Sequence, residues 1–368
     1  MKKIFLSFLL FFVATTGFSQ AYEFQTVKEI NCTPVISQGI TGTCWSFSTT
    51  SFLESEIIRL TGKPIDLSEM YTVRNTYPKK AANYVLRQGK AQFSEGGLAH
   101  DVINSVAQYG LVPNAVYTGL NGTEKHNHTE LQALLEGMLK VFVENPGKKL
   151  SPQWKEAIQA VLDVYLGKNP TEFTYDGKKY TPQTFLTATK INPKAYVSLS
   201  SFTNEPFYQP FILNIPDNFS NGSFYNLPLD AFMQAIDEAL DKGYTLSLDC
   251  DVSEPTFSGK NGLAVIPENE ADAKTILTEI KPEKVISQEY RQQEFENLTT
   301  QDDHLMHIVG KVKDQKGTLY YKVKNSWGDT SGKDGFMYMS VSYMRLKALS
   351  VLVHQDALSP ATKKALQL

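Results

Sequence analysis

Apolar residues recur at helical spacing in several stretches of this chain. Leu53, Ile57 and Leu60 mark a helix over 45–61, which Gly62 and Pro64 end. Leu98, Val102, Val106 and Tyr109 share one face of a second helix over 98–109, closed by Gly110 and Pro113. Two further patterns fill 129–166. Leu131, Leu134, Leu135 and Met138 carry the first, and Trp154, Ile158, Val161, Leu162 and Tyr165 the second, with a break near Asn145-Pro146-Gly147. Phe173 to Tyr180 predicts a hairpin about Asp176-Gly177. A helix over 228–242 has Pro228 at its start and Gly243 past its end. It turns Leu229, Phe232, Met233, Ile236 and Leu240 inward and runs into a strand, Tyr244 to Cys250. His304 to Lys313 and Thr318 to Asn325 predict paired strands about the turn 314–317. Residues 20–43 read as a polar loop, and 265–303 carry too much charge for a clear period. Helices first and strands last give an α+β protein rather than an alternating βαβ chain.

The first nineteen residues read differently. Lys2 and Lys3 precede an apolar run, Ile4 to Val13, and Gly17-Phe18-Ser19 fits a cleavage site. The run is too short for a bilayer, which needs about 20 apolar residues. A removed leader, 1–19, is expected, and with it an exported, periplasmic or secreted protein without stable membrane insertion. Without Lys2 and Lys3 the chain holds 34 basic against 39 acidic residues, a balance with no footprint for nucleic acid. The remaining length suggests two lobes, or one domain with a large insertion.

Three cysteines, Cys32, Cys44 and Cys250, leave at least one thiol unpaired; Cys32 and Cys250 could pair, though nothing in the sequence requires it. Cys44 stands at the start of the 45–61 helix, where unpaired N–H groups and the helix dipole favour thiolate. Six histidines are candidate bases. His126 and His128 fall in a polar stretch and read as solvated, His354 lies near the C-terminus, and His100 falls early in the second helix. His304 and His307, three apart on one strand, should face opposite ways, so they should not share a metal. If the turn centres on Gln315 and Lys316, Asn325 faces Met306 and is a diagonal neighbour of His304. An amide there would fix the imidazole tautomer. Gln38, six residues before Cys44, could supply an oxyanion donor together with the Cys44 N–H.

These segments resemble a known family. Gln38-Gly39-Ile40-Thr41-Gly42-Thr43-Cys44-Trp45-Ser46-Phe47-Ser48 resembles the nucleophile segment of papain-like cysteine peptidases. His304-Leu305-Met306-His307-Ile308-Val309-Gly310 resembles their histidine strand, and its spacing to Gly310 selects His304 over His307. Asn325-Ser326-Trp327-Gly328 resembles their asparagine motif, in which the tryptophan shields the His–Asn pair from water. Glu95-Gly96-Gly97 resembles the segment whose backbone binds extended substrate. The resemblance implies a papain-like two-lobed fold with a helical lobe, about 32–125, and a β-rich lobe, about 181–350. It also implies a helical insertion, about 126–180, and a tail, 351–368. It implies Cys44, His304 and Asn325 as a triad, Gln38 at the oxyanion, and substrate along Gly96 and Gly97.

Gly96-Gly97 through Tyr109-Gly110-Leu111-Val112-Pro113, and Cys250-Asp251-Val252, are similar to the bleomycin hydrolase or aminopeptidase C branch. In that branch a C-terminal arm enters the cleft and its carboxylate meets the substrate's amino group. Here Ser359 to Leu368 reads instead as a short final helix, with no arm beyond it. Peptide substrates are the expected partners, no cofactor or metal is expected, and the assembly state stays open, a homo-oligomer included. Peptide hydrolysis, as an aminopeptidase or an endopeptidase, is the leading expectation. A silent peptide-binding relative and acyl transfer to an amine are the alternatives. Serine-hydrolase, zinc-peptidase and P-loop motifs are absent from the sequence.

Overall fold

The computed structural model describes residues 22–144, 147 and 149–368. The leader expected over 1–19 and part of the 145–147 break lie outside them. The first strand, β1 (Phe24–Glu29), precedes six helices: α1 (Cys44–Thr61), α2 (Glu69–Leu86), α3 (Ala99–Tyr109), α4 (Thr129–Glu144), α5 (Trp154–Leu166) and α6 (Pro182–Thr189). A small hairpin, β2 (Phe173–Tyr175) and β3 (Lys178–Tyr180), sits between α5 and α6. Next come β4 (Tyr196–Ser200), β5 (Pro210–Ile212), β6 (Ser223–Asn226), α7 (Leu229–Asp241) and β7 (Leu246–Cys250). β8 (Phe257–Ser258), β9 (Leu263–Ala264), α8 (Gln288–Glu296), β10 (His304–Asp314), β11 (Leu319–Lys324) and β12 (Phe336–Ser340) follow. The chain ends with α9 (Val341–Lys347), β13 (Ala348–His354) and α10 (Pro360–Leu366). The class is α+β, as the order of elements predicts.

One large sheet runs β5-β6-β4-β13-β7-β10-β11-β12-β9-β8, with β1 also on β10. Its centre is β10. β7 pairs with the first half of β10, over 304–308, and β1 takes over from Gly310 to Asp314. The handover explains the glycine: a β-carbon at Gly310 would collide with the Lys28 carbonyl. β1 corrects the reading of 20–43 as loop. Its side chains are mostly exposed, so its strand character comes from backbone pairing and leaves little hydrophobic period.

The β10–β11 register is instructive. Near the turn, Lys313 faces Leu319 and Lys311 faces Tyr321. A bulge between Ile308 and Gly310 then shifts the pairing by one, so that His307 faces Lys324. Continued by one residue, that register sets Asn325 opposite Met306, the alignment deduced from the sequence. It is reached by a bulge in the strand rather than by an unshifted hairpin.

α2 escapes periodicity because Pro78 lies inside it and Thr72, Arg74, Asn75 and Thr76 are buried among its apolar residues. Its one legible mark is Ser68, whose hydroxyl accepts the Tyr71 N–H as an N-cap. In the charged stretch 265–303, α8 is held from inside: Arg291 donates to the carbonyls of Ser201 (2.8 Å), Arg345 (2.8 Å) and Ala348. A charge spent on buried carbonyls looks like surface in a sequence. The tail docks as α10, with Ser359 capping it and Leu366 buried in the core that contains Ile236 of α7.

Two cores lie on opposite sides of the central strands. Trp45, Phe52, Leu53, Leu131, Leu162 and Leu305 belong to the helical side. Ile236, Leu248, Met306, Ile308 and Met344 belong to the other. Leu305 and Met306 therefore enter different cores, as strand alternation requires.

α1 lies against β10 and β7, and polar contacts fix it there. Ser48 Oγ donates to the Met306 carbonyl (2.6 Å) and meets Ser247 Oγ (3.0 Å), Thr49 Oγ1 meets the same Ser247 hydroxyl (3.1 Å), and Ser51 Oγ meets His307 Nδ1 (2.9 Å). Cys44, Ser48 and Ser51 recur at i, i+4 and i+7 and so share one face of α1. Ser48→Ala should lower unfolding free energy by about 1–3 kcal/mol, because the hydroxyl leaves a buried acceptor without its donor. Urea denaturation measures this; a loss under about 0.5 kcal/mol would mean the seam does not depend on that bond.

Candidate active site

Cys44 is the first residue of α1 and is buried, 8% exposed. Thr43 precedes it without a side-chain cap, so the helix's first N–H groups stay available to another acceptor. Cys44 lies near the start of β10, close to the Leu305 backbone N–H. Cys32 and Cys250 are free thiols, so the conceivable bridge between them is not formed.

His304 Nε2 lies 2.8 Å from Asn325 Oδ1. Asn325 Oδ1 also accepts the Ser326 N–H (2.8 Å), which orients the amide with its oxygen toward the ring. Nε2 therefore carries the hydrogen, and Nδ1 carries the lone pair. The Trp327 ring covers the imidazole at 4.7 Å between centroids and 30° between planes, and Phe257 packs edge-on against Trp327. His307 faces away, onto Ser51 and the ring of Phe52.

Gln38 is buried and held at four points, one of them its carbonyl, which accepts the Thr41 hydroxyl (3.0 Å). Its N–H donates to the Ser326 carbonyl (2.8 Å), its Oε1 accepts the Ser326 hydroxyl (2.6 Å), and its Nε2 donates to the Thr41 carbonyl (2.6 Å). One amide hydrogen is thus occupied and the other remains for a ligand. Sequence reasoning overlooked Ser326, whose hydroxyl and backbone lock Gln38 while its N–H orients Asn325. Its position next to Asn325 was the available signal.

Gly97 is buried against the Trp45 ring, and among the described residues neither its N–H nor its carbonyl has a hydrogen-bond partner. Gly96 is different: its carbonyl accepts Lys80 Nζ, and Asp217 fills the space where a β-carbon would be. Nor are His126 and His128 a solvated pair. Ile40 N donates to the His126 carbonyl (2.9 Å) and His128 N to the Ile40 carbonyl (3.0 Å), which ties this stretch to the Gln38–Cys44 loop. His128 is buried as a result, 3.2 Å from the Tyr77 hydroxyl.

Burial pushes the Cys44 thiol up to about 12, opposed by the Leu305 N–H, and it also holds His304 below the ordinary imidazole range, opposed by Asn325. Each charge alone is penalised by desolvation. A proton passed from sulfur to imidazole creates both charges together, beside a helix N-terminus that favours the anion. The arrangement can therefore supply a nucleophilic sulfur by exchange within the site rather than with solvent.

Beneath α1, Lys324 Nζ donates to Thr33 Oγ1 (3.0 Å) and Ser51 Oγ (2.8 Å), and Thr33 donates to Glu54. Burial raises Glu54 to about 7. Glu54, Asp66 and Glu69 bring carboxylate oxygens within 4.8 Å of one another. Both Glu54 oxygens already accept protein donors, Leu67 N and Thr33 Oγ1, so the group is a hydrogen-bonded support rather than a ligand cage.

A model of the Peptidase C1-like family matches residues 84–368, a span that holds His304 and Asn325 and begins beyond Cys44. Aminopeptidase G of Lactobacillus delbrueckii subsp. lactis is 24% identical over 88% of this chain and 82% of its own length. Aminopeptidase C of Listeria monocytogenes is 24% identical over 90% of this chain and 82% of its own. Cysteine proteinase 1, mitochondrial, of Saccharomyces cerevisiae is 25% identical over 90% of this chain and 76% of its own. The crystal structure of PepW from Lactobacillus rhamnosis superposes with a TM-score of 0.74 at 19% identity, covering 93% of this chain and 84% of that one, which establishes the shared fold. The relatives correct the expectation of a periplasmic or secreted protein: the yeast proteinase, similar over nearly the whole chain, is mitochondrial, not exported. With this match over most of its length, the chain belongs to the Peptidase C1-like family and is a papain-like cysteine peptidase.

Proposed function

We propose that this peptidase releases amino-terminal residues from peptides, with Cys44 as nucleophile, His304 as base, Asn325 as the group that holds the imidazole, and Gln38 as oxyanion donor. The observation that carries the reading is the 2.8 Å contact between His304 Nε2 and Asn325 Oδ1, which leaves Nδ1 free for the thiol proton. The names of the aminopeptidase C and G relatives support exopeptidase action.

The thiol proton moves to His304 Nδ1 as the sulfur attacks the scissile carbonyl carbon. The carbonyl oxygen takes the negative charge, facing the Cys44 N–H and the free Gln38 amide hydrogen. Collapse breaks the C–N bond, and the imidazolium returns its proton to the leaving amine. Water, deprotonated by the same imidazole, then attacks the thioester, and the sulfur leaves and regains the proton. Trp327 over His304 limits access of bulk water to the imidazole. Gly97, with both backbone groups unpaired, offers one donor and one acceptor to an extended substrate.

Cys44→Ala should reduce turnover at least about 10⁴-fold with folding intact, and full activity in that variant would overturn the assignment. Gln38→Ala should lower kcat by about 10²–10³-fold with KM little changed, as expected for a bond made to the developing oxyanion. A KM effect alone would instead make Gln38 a ground-state binder.

The pH dependence follows from His304. The active form carries one proton between sulfur and imidazole, and it is lost when a second proton reaches the imidazole. Burial holds that event below the usual imidazole value. The acid limb of kcat/KM should therefore fall below about pH 6.5, with activity lost as pH drops through it. An acid limb above that value would contradict the burial argument.

A further inference from the structure

The charge around Cys44 is one-sided. Asp217, Asp302 and Asp249 are the acidic groups whose fields reach the thiol. Asp302, two residues before His304, lies close to Asp217 and Asp249. Asp249 Oδ1 and Asp302 Oδ2 are buried without a hydrogen-bond partner among the described residues, and Asp249 is only 2% exposed. Burial holds all three carboxyls above the ordinary carboxylate range. Lys80, which bonds the Gly96 carbonyl, is the cation facing them from α2.

The loop that carries Asp217 is cross-linked by hydrogen bonds. Asn218 bonds the Leu213 carbonyl (2.8 Å), the Gly222 carbonyl (3.1 Å) and the Gly222 N–H (2.7 Å), and His100 Nε2 meets Ser220 Oγ (3.0 Å). Asp217 itself is half-buried over Gly96, with Ser94 Oγ at 3.4 Å. It therefore stands one residue beyond Gly97, whose buried and unpaired N–H and carbonyl point to a missing peptide partner. The Asp217 carboxylate lies against the backbone next to Gly97, within about one residue of where a chain paired with Gly97 would run.

We propose that Asp217 receives the α-ammonium group of the peptide substrate, with the Asp249–Asp302 pair adding negative potential behind it. This rests on the peptidase reading above and names the element that makes it an aminopeptidase. A free amino end would add a cation to a cluster in which Lys80 already faces Asp217 and Asp302. An acylated end, or a chain continuing past it, offers no charge. The C-terminal helix α10, packed in the core beside α7, takes no part in this recognition.

The test compares peptides with a free amino end against their N-acetylated twins, with lysine or norleucine as first residue. Wild type, Asp217→Asn and Asp217→Glu are assayed for kcat/KM. Wild type should prefer the free end. In Asp217→Asn the free-to-acetylated ratio should fall about 10- to 100-fold, equally for lysine and norleucine, as for loss of a charged hydrogen bond. Asp217→Glu, which keeps the carboxylate, should retain most of the preference. An unchanged ratio in Asp217→Asn would overturn the proposal while leaving aminopeptidase action standing. Loss confined to the lysine peptides would overturn it in favour of side-chain recognition. A wild type indifferent to acetylation would instead sink the aminopeptidase reading itself.

Discussion

The site depends on how α1 is fixed to β10. Cys44 on a helix and His304 on a strand come from parts of the chain some 260 residues apart, as the Ser48 to Met306 and Ser51 to His307 contacts measure it. Hydrophobic packing is non-directional and tolerates sliding. Hydroxyl bonds from Ser48, Thr49 and Ser51 have fixed length and direction, and Cys44 lies on the same helical face. The seam thus fixes the start of α1, and with it Cys44, against β10. Dry burial on both sides makes each of those bonds expensive to leave unmade.

The same burial shapes the chemistry. Burial disfavours ionisation of the thiol and of the imidazole alike. Ser326 orders two other parts of the site at once. It fixes Gln38 through its hydroxyl and carbonyl, and Asn325 through its N–H. Gln38 and Asn325 are therefore coupled through one residue. The Lys324–Thr33–Glu54 chain lies beneath them and ties α1 to the end of β11.

Much of this was legible in the residue pattern. Helices with a clean apolar face, such as Leu229 to Leu240, were read to within a residue or two. The register that sets Asn325 near His304 followed from the turn alone, although the chain reaches it through a bulge at Val309. What escaped had physical reasons. β1 is held by backbone pairing and exposes its side chains, so alternation is faint. α2 hides behind Pro78 and buried polar residues, and Arg291 looks like surface because its carbonyl partners are distant in sequence. The place of Asp217 beside Gly96 was not readable, since it depends on a loop closing over a contact more than a hundred residues away.

The central claim is that the Cys44 sulfur and the His304 imidazole share a proton. The pH dependence of Cys44 alkylation by iodoacetamide tests it most directly, with peptide mapping to locate the label, in wild type and His304→Ala. The account predicts rapid, Cys44-specific labelling of wild type at pH 6, and at least about a hundredfold slower labelling in the variant, where the thiol must ionise alone in its buried pocket. Equal rates in the two proteins across that range would contradict it.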